Sequence, residues 1–223
     1  MSKSIYFAGC LTLSTVWVMS LPVRGDNAFI NMPDEIGEKE TIQIAKHYAK
    51  DHLEPALRAS ETLVDELKKV NRDRAEWQPF SDRWKAWKPD EVELHQNSYD
   101  YAEYVWSARK DRRFRNHHLR SGLANELRRI AEESEGVISE LFVVDALGGN
   151  VAVTSWTSDW FQGNEAKFIE PAKSLDIYVS ASRRDDTVGK TVVQASVPVV
   201  DQDGALLGVA IVSLDVELLS LHN

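Results

Sequence analysis

The sequence predicts an α+β fold in which long N-terminal helices precede a five-stranded antiparallel sheet with one helical crossover. Two observations support this prediction. Before about residue 136 the apolar residues recur at every third or fourth position, which is the period of one helical face. After Gly136 apolar and polar residues alternate, and β-branched residues become frequent. The chain has 223 residues, 43% of them hydrophobic, which is enough for one sizeable core.

The first 25 residues differ from the rest of the chain. Lys3 precedes an apolar run from Ile5 to Leu21, and Gly25 offers a small residue for cleavage. This pattern predicts a signal peptide at residues 1–25 and therefore a periplasmic or secreted protein. Because the run is nearly long enough to span a bilayer, an uncleaved anchor that holds the protein in the inner membrane, facing the periplasm, is the alternative.

A helical region is predicted over residues 26–135. Apolar positions between Asp34 and Arg74 predict one long amphipathic helix, with Pro55 as the point at which it can bend. Residues 75–90 combine tryptophans with prolines, which is typical of a loop. Further helices follow, and the last carries an apolar stripe formed by Leu119, Leu123, Leu127 and Ile130.

The sheet is predicted within residues 136–223. Its strands are expected at 138–146, 150–155, 175–183, 191–200 and 206–215, with a helix at 163–174. Asp and Gly residues at 145–150 and 201–204 suit the tight turns that would join the first and the last pairs of strands. Five strands with short hairpins and one helical crossover describe a PAS-like antiparallel sheet.

Charge and composition argue against several classes of function. The formal net charge is −9, so we do not expect a nucleic acid partner. The only cysteine, Cys10, lies in the predicted signal peptide, which leaves no disulfide and no thiolate metal site. His47 and His52 are five residues apart and do not share a helix face. Without a nucleophile elbow or a phosphate loop, we expect no catalytic residues, no metal site and no cofactor.

Two groups of basic residues have alternative interpretations. The run Arg109–Arg120 is interpreted as a solvated helix face that balances surrounding acids, and attachment to anionic lipid or to an acidic partner is the alternative. Arg183 and Arg184 are interpreted as exposed residues near Asp185 and Asp186. The alternative is that they bind a ligand carboxylate through a bidentate fork.

Residues 142–168, FVVDALGGNVAVTSWTSDWFQGNEAKF, resemble the signature of single Cache domains, also called PDC sensor domains. In that family a strand ending in Asp and Gly leads to a second strand and then to a Thr-Ser-Asp-aromatic-aromatic-Gln element. Residues 192–219 are similar to the family as well. The sequence departs from the signature at Asn164, where Asp is usual, and at Trp160-Phe161, where Tyr-Trp is commoner. These changes alter either the pocket or the cap of the crossover helix.

The resemblance implies an extracytoplasmic sensor that holds a small polar or anionic metabolite between one face of the sheet and the loops over it. It also implies that the N-terminal helix pairs with a second copy of the chain. With no output domain in the sequence, we expect the signal to pass to a separate membrane sensor or signalling protein. The candidate ligand contacts are Trp156, Asp159, Trp160, Gln162, Tyr178 and Gln194.

Each candidate contact also has a purely structural interpretation. Ser158 and Asp159 can hydrogen bond to neighbouring backbone groups, and Tyr178 and Gln194 can lie on a solvated sheet face. The alternative function is therefore a structural or interaction module of the cell envelope, whose pocket is filled by its own tryptophans. A hydrolase is a third hypothesis, which would require carboxylates and histidines of shifted pKa in one cleft.

Overall fold

A computed structural model describes residues 37–185 and 190–221, which lie within one compact unit, Ile36–Asn223. The predicted signal peptide, or anchor, at residues 1–25 lies outside the described residues. Within the described ranges, no helix is both long enough and apolar enough to cross a membrane.

The N-terminal helical segment is interrupted. Helix α1 (Glu38–Tyr48) runs through a π-helical turn (Ala49–Leu53) into α2 (Glu54–Arg58), and α3 follows (Glu61–Asp73). The prediction of one continuous helix to Arg74 is therefore wrong. The break is at Ser60, whose backbone is extended and whose hydroxyl accepts a hydrogen bond from the backbone N–H of Leu63, 3.0 Å away. A serine in this position caps a new helix and satisfies one of its free N–H groups.

The predicted aromatic loop contains one short 3₁₀ turn, Arg83–Ala86, and a second turn, Val92–His95, follows it. The remaining helical elements are α4 (Tyr99–Glu103), a π-helical turn (Tyr104–Ala108), α5 (Arg112–Arg120) and α6 (Gly122–Glu133). Ser121 caps α6 by accepting the N–H of Ala124. The predicted apolar stripe is thus divided, because Leu119 belongs to α5 and the other three residues belong to α6.

The second half of the described chain forms an antiparallel sheet with a crossover helix. Its elements are β1 (Ile138–Asp145), β2 (Asn150–Val153), α7 (Ala166–Ser174), β3 (Tyr178–Val179), β4 (Arg183–Asp185), β5 (Lys190–Val200), β6 (Leu206–Asp215) and α8 (Val216–Ser220). The strand order is β2-β1-β6-β5-β3, and β4 also pairs with β5. The α+β fold class is confirmed. The predicted third strand is reduced to two short pieces, and Leu175, at its predicted start, ends α7 in the left-handed conformation.

The two faces of the sheet pack against different parts of the protein. The first face, which includes Val193, Ala195 and Val197, packs against α1, α2, α3 and α6. The second face carries Phe142 and Ile211 and is covered by aromatic side chains of the helical region, by the segment after β2 and by α7. Sequence alternation along β5 predicted the apolar first face correctly.

Strand β5 is longer than its outer neighbours. Strand β3 pairs only with Ala195 and Ser196, and β4 pairs with residues 190–192. The end of β5 from Val197 to Val200 therefore has no described strand on its outer side. Pro198 lies within this stretch.

Candidate functional site

The loop between β2 and α7 is wound around one backbone carbonyl. The oxygen of Asp159 accepts hydrogen bonds from Thr157 Oγ1 at 2.8 Å, Gln162 Nε2 at 2.7 Å and Asn150 Nδ2 at 3.3 Å. Gln162 is only 2% exposed, so its side chain holds the loop together from inside. The Asp159 carboxylate itself is exposed and accepts the hydroxyl of Ser158.

A buried carboxylate fixes the same loop from the helical side. Glu103 Oε2 accepts the backbone N–H groups of Trp160 and Phe161, both at 2.8 Å, and Oε1 accepts the hydroxyl of Ser107. Burial raises the pKa of Glu103 above its ordinary value, while the bonds from Ser107 and Phe161 act against that shift. The loop conformation thus depends on a helix residue that lies 57 positions away in the sequence.

Trp160 is completely buried, and its indole makes a specific polar contact. Its Nε1–H donates to His118 Nε2 at 3.1 Å, and His118 Nδ1 lies 2.9 Å from the carbonyl oxygen of Phe114. These partners require a neutral imidazole with its proton on Nδ1. Burial lowers the pKa of His118 to about 3, which keeps the ring neutral at physiological pH.

Asp145, at the end of β1, ties the β1–β2 turn to the helices. It accepts hydrogen bonds from Arg74 Nη1 at 2.6 Å, from the Tyr99 hydroxyl at 2.8 Å and from two backbone N–H groups of the turn. Burial and the neighbouring Asp145 raise the pKa of Tyr99 well above its ordinary value. Gly149 is needed here, because a Cβ at this position would lie 2.5 Å from the ring of Trp160.

Trp156 packs against two side chains of the helical region. One face of its ring stacks on Trp106, with centroids 4.2 Å apart and an angle of 9° between the planes. The guanidinium of Arg115 lies over the Trp156 ring at 3.2 Å from the centroid. Contacts with both neighbours leave the side chain 38% exposed.

Tyr178 and Gln194 lie on the second face of the sheet, in two rows of residues that are neighbours across the strands. One row contains Gln194, Ser213 and Glu140, and Gln194 Nε2 donates to Ser213 Oγ at 3.2 Å. The next row contains Phe142, Ile211, Ser196 and Tyr178.

Ser196 is the unusual member of these rows. It is completely buried, yet its Oγ has no hydrogen-bond partner among the described residues. A buried hydroxyl without a partner costs free energy, so such groups are uncommon in folded proteins. Sequence reasoning missed Ser196, although it follows Gln194 by two positions and therefore had to share its face.

Lys167 of α7 adds a positive charge near these rows. Its Nζ lies 5.6 Å from the centroid of the Phe142 ring and 3.1 Å from a carboxylate oxygen of Glu165. The Lys167 side chain is only 16% exposed. The six predicted residues therefore fall into two groups: four lie in the β2–α7 loop, and two lie on the sheet beside Ser196.

A cavity bordered by described residues lies elsewhere. It has a volume of about 610 Å³ and is bordered by α2, α3 and residues 197–202. None of the six predicted residues lines it. Among the described residues, no group of three or more His, Cys, Asp or Glu side chains is arranged to hold a metal ion.

No protein-family model matches the chain, and no curated protein matches it. Solved structures do match. An extracellular ligand-binding receptor from Desulfohalobium retbaense is 19% identical, with 54% of this chain and 21% of that chain covered and a TM-score of 0.35. The ligand-binding domain of the Pseudomonas aeruginosa amino acid chemoreceptor PctC, in complex with GABA, is 16% identical, with coverages of 50% and 47% and a TM-score of 0.34.

The sensory domain of the Campylobacter jejuni chemoreceptor Tlp3 is 14% identical, with coverages of 80% and 65% and a TM-score of 0.37. The chain thus spans less than two thirds of the length of each of these three solved chains. These three structures are an extracellular ligand-binding receptor, the ligand-binding domain of a chemoreceptor and the sensory domain of a chemoreceptor. Identities below 25% and TM-scores below 0.5 carry no functional conclusion for this chain.

Proposed function

We propose that this chain is an exported, stand-alone sensor domain that binds a small metabolite on the second face of its sheet. The observation that carries the proposal is Ser196, whose buried hydroxyl has no partner. A ligand that bonds to this oxygen would remove the cost of burying it. Tyr178 and Gln194 are its neighbours across and along the strands, so they are the first candidates for further contacts.

The surrounding side chains favour a polar or anionic ligand. Gln194 has one amide donor directed at Ser213, while Tyr178 is partly exposed at the end of its row. The ammonium of Lys167 lies above the adjoining Phe142 and 3.1 Å from Glu165, so a ligand carboxylate or phosphate group would replace Glu165 as its partner. A site of this kind combines apolar walls with a few orienting polar groups.

Binding requires a change in what covers the face. Helix α7 packs against β3, β5 and β6, and the β2–α7 loop leads directly into it. A ligand would therefore select conformers in which α7 has shifted away from the sheet. The hydrogen bonds that Glu103 and Gln162 make to the β2–α7 loop would favour the unshifted conformers. The proposal includes a signalling partner, such as a membrane sensor, and a homodimer formed through the N-terminal helices.

The first test is a thermal-shift screen of residues 26–223 with amino acids, organic acids, amines, purines and sugars. A ligand that binds only the folded state raises the melting temperature in a dose-dependent way. Ser196→Ala removes a hydroxyl that has no partner, so we expect this variant to melt at or slightly above the wild-type temperature in the absence of ligand. The ligand-induced rise should be lost or much reduced.

A matched control is Ser220→Ala, which removes a hydroxyl from α8, outside the proposed site and outside α7. This control should retain the full ligand-induced shift. A wild-type response that is unchanged in Ser196→Ala and in Tyr178→Phe would place the ligand elsewhere and contradict the proposed site.

One observation favours the alternative of a structural or interaction module. Trp160 is fully buried among the chain's own aromatic side chains, and Trp156 is stacked between Trp106 and Arg115. The sequence predicted that these two tryptophans contact a ligand, whereas in the structure they pack against the chain's own side chains. A well-folded protein that shows no shift with any compound class would support this alternative.

A further inference from the structure

Helix α5 and Lys110, two positions before it, carry a group of exposed basic side chains, which we call the basic patch: Lys110, Arg112, Arg113, His117 and Arg120. Three of them, at positions 113, 117 and 120, have the i, i+4, i+7 spacing that places side chains on one helical face. The opposite side of α5 packs against α6, β2 and the π-helical turn. Asp111 caps the helix by accepting the N–H groups of Arg113 and Phe114. The patch therefore lies on a helix that is capped at its start and packed against neighbouring elements.

The arginines of the patch form no ion pairs among the described residues. Arg109, just before it, forms an ion pair with Glu93 at 3.0 Å. Within the part of the chain that the structure describes, none of Arg112, Arg113 and Arg120 has a carboxylate within ion-pair distance. The chain has 35 acidic and 26 basic residues, so a cluster of unpaired arginines runs against its overall charge. The Arg109–Glu93 pair fits the interpretation that the run balances surrounding acids, whereas these three arginines have no such partner.

The uncharged apolar run Ile5–Leu21 indicates that the protein travels to or through a membrane. Trp156 is not part of the patch, because its cationic neighbour Arg115 lies on the side of α5 turned away from positions 113, 117 and 120.

We propose that the basic patch binds the surface of an anionic phospholipid bilayer. Guanidinium groups form bidentate hydrogen bonds with phosphate oxygens, and an anionic leaflet presents such groups over a plane that one helix face can meet. The patch residues lie on or just before α5, whereas the residues proposed to contact the ligand lie on β3 and β5. The two proposals can therefore be tested with separate variants.

The test is co-sedimentation of residues 26–223, which include the whole compact unit Ile36–Asn223, with vesicles of phosphatidylglycerol and phosphatidylcholine in equal parts. Vesicles of phosphatidylcholine alone provide the comparison. We expect binding only to the anionic vesicles, and weaker binding as salt is added. Replacing Arg112, Arg113 and Arg120 together by Gln should weaken binding by about a hundredfold, because each basic residue near an anionic surface contributes about a factor of five.

The control is a triple variant with the same change of charge at other exposed sites, Lys39→Gln, Arg72→Gln and Lys173→Gln. This control should bind like the wild type, and melting curves of both variants should match that of the wild type. Equal binding to both kinds of vesicle, or full binding by the arginine triple variant, would overturn the proposal. Tighter binding to polyglutamate than to anionic vesicles would also overturn it, in favour of an acidic protein partner.

Discussion

At the scale of single residues, Asp145 is a buried carboxylate that accepts four hydrogen bonds from other residues. It is fully buried, and both of its oxygens are occupied by Arg74, Tyr99 and two backbone N–H groups. The Arg74 side chain is itself only 11% exposed and also lies over the ring of Trp160 at 4.9 Å. The Asp145 carboxylate therefore connects the C-terminal end of α3, helix α4 and the β1–β2 turn.

Asp145→Asn should destabilise the protein by about 3 kcal/mol, because it leaves the largely buried guanidinium of Arg74 without its counterion. Urea denaturation followed by tryptophan fluorescence would measure the change. Glu133→Gln is a suitable control, since Glu133 forms an exposed ion pair with Arg129 and its loss should have little effect. A small change for Asp145→Asn, comparable with that of the control, would contradict this account.

Some of the candidate site could be predicted from the sequence because strand alternation fixes which residues share a face. Tyr178 and Gln194 were placed together in this way, and the structure puts them on one face. The alternation could not show that Gln162 turns inward or that Trp156 stacks on Trp106, since their partners are set by tertiary packing. The unpaired hydroxyl of Ser196 was likewise invisible, because pairing depends on atoms from several elements.

At the scale of secondary structure, the most instructive difference concerns the N-terminal helices. Apolar spacing of three and four residues continues across residues 59 and 60, so it predicted one helix where the structure has a break. The polar Ser60 contained the missing information, because serine competes for backbone hydrogen bonds and favours helix starts. Periodicity reports which side is buried, whereas capping residues report where a helix begins.

Ser60→Ala should therefore lower the free energy of unfolding by about 1 kcal/mol, since the N–H of Leu63 loses its side-chain acceptor. Ser60→Asp should restore most of that loss, because aspartate is an equally good cap. Chemical denaturation of the three proteins would measure both effects. An alanine variant as stable as the wild type would indicate that α2 and α3 can merge into one helix without cost.

At the scale of the whole molecule, His118 links folding to pH. Its pKa is lowered to about 3 in the folded protein, whereas an unfolded chain has the ordinary value of about 6.5. As the pH falls below that ordinary value, the unfolded state binds a proton that the folded state does not accept. Stability is thus fully present above about pH 6.5 and is lost progressively toward pH 3.

Between pH 7 and pH 5 this effect should cost the wild type about 2 kcal/mol of stability. His118→Gln should flatten the dependence of stability on pH over that range, whatever its stability at neutral pH. The exposed neighbour His117 offers a control, because His117→Gln should keep the wild-type slope. Unfolding curves at a series of pH values would decide, and equal slopes for all three proteins would exclude His118 as the cause.

The free end of β5 has a consequence for how copies of this molecule behave toward one another. The N–H of Ser180 donates to the carbonyl oxygen of Gln194, so the backbone groups of even-numbered β5 residues point away from β6. Pro198 falls in that series and has no N–H to offer there. An incoming strand would have to pair with residues 197–200, the four residues of β5 beyond β3, and Pro198 would leave one hydrogen bond of that pairing unformed. Sheet growth from this edge, which leads to fibrous aggregates, is therefore disfavoured.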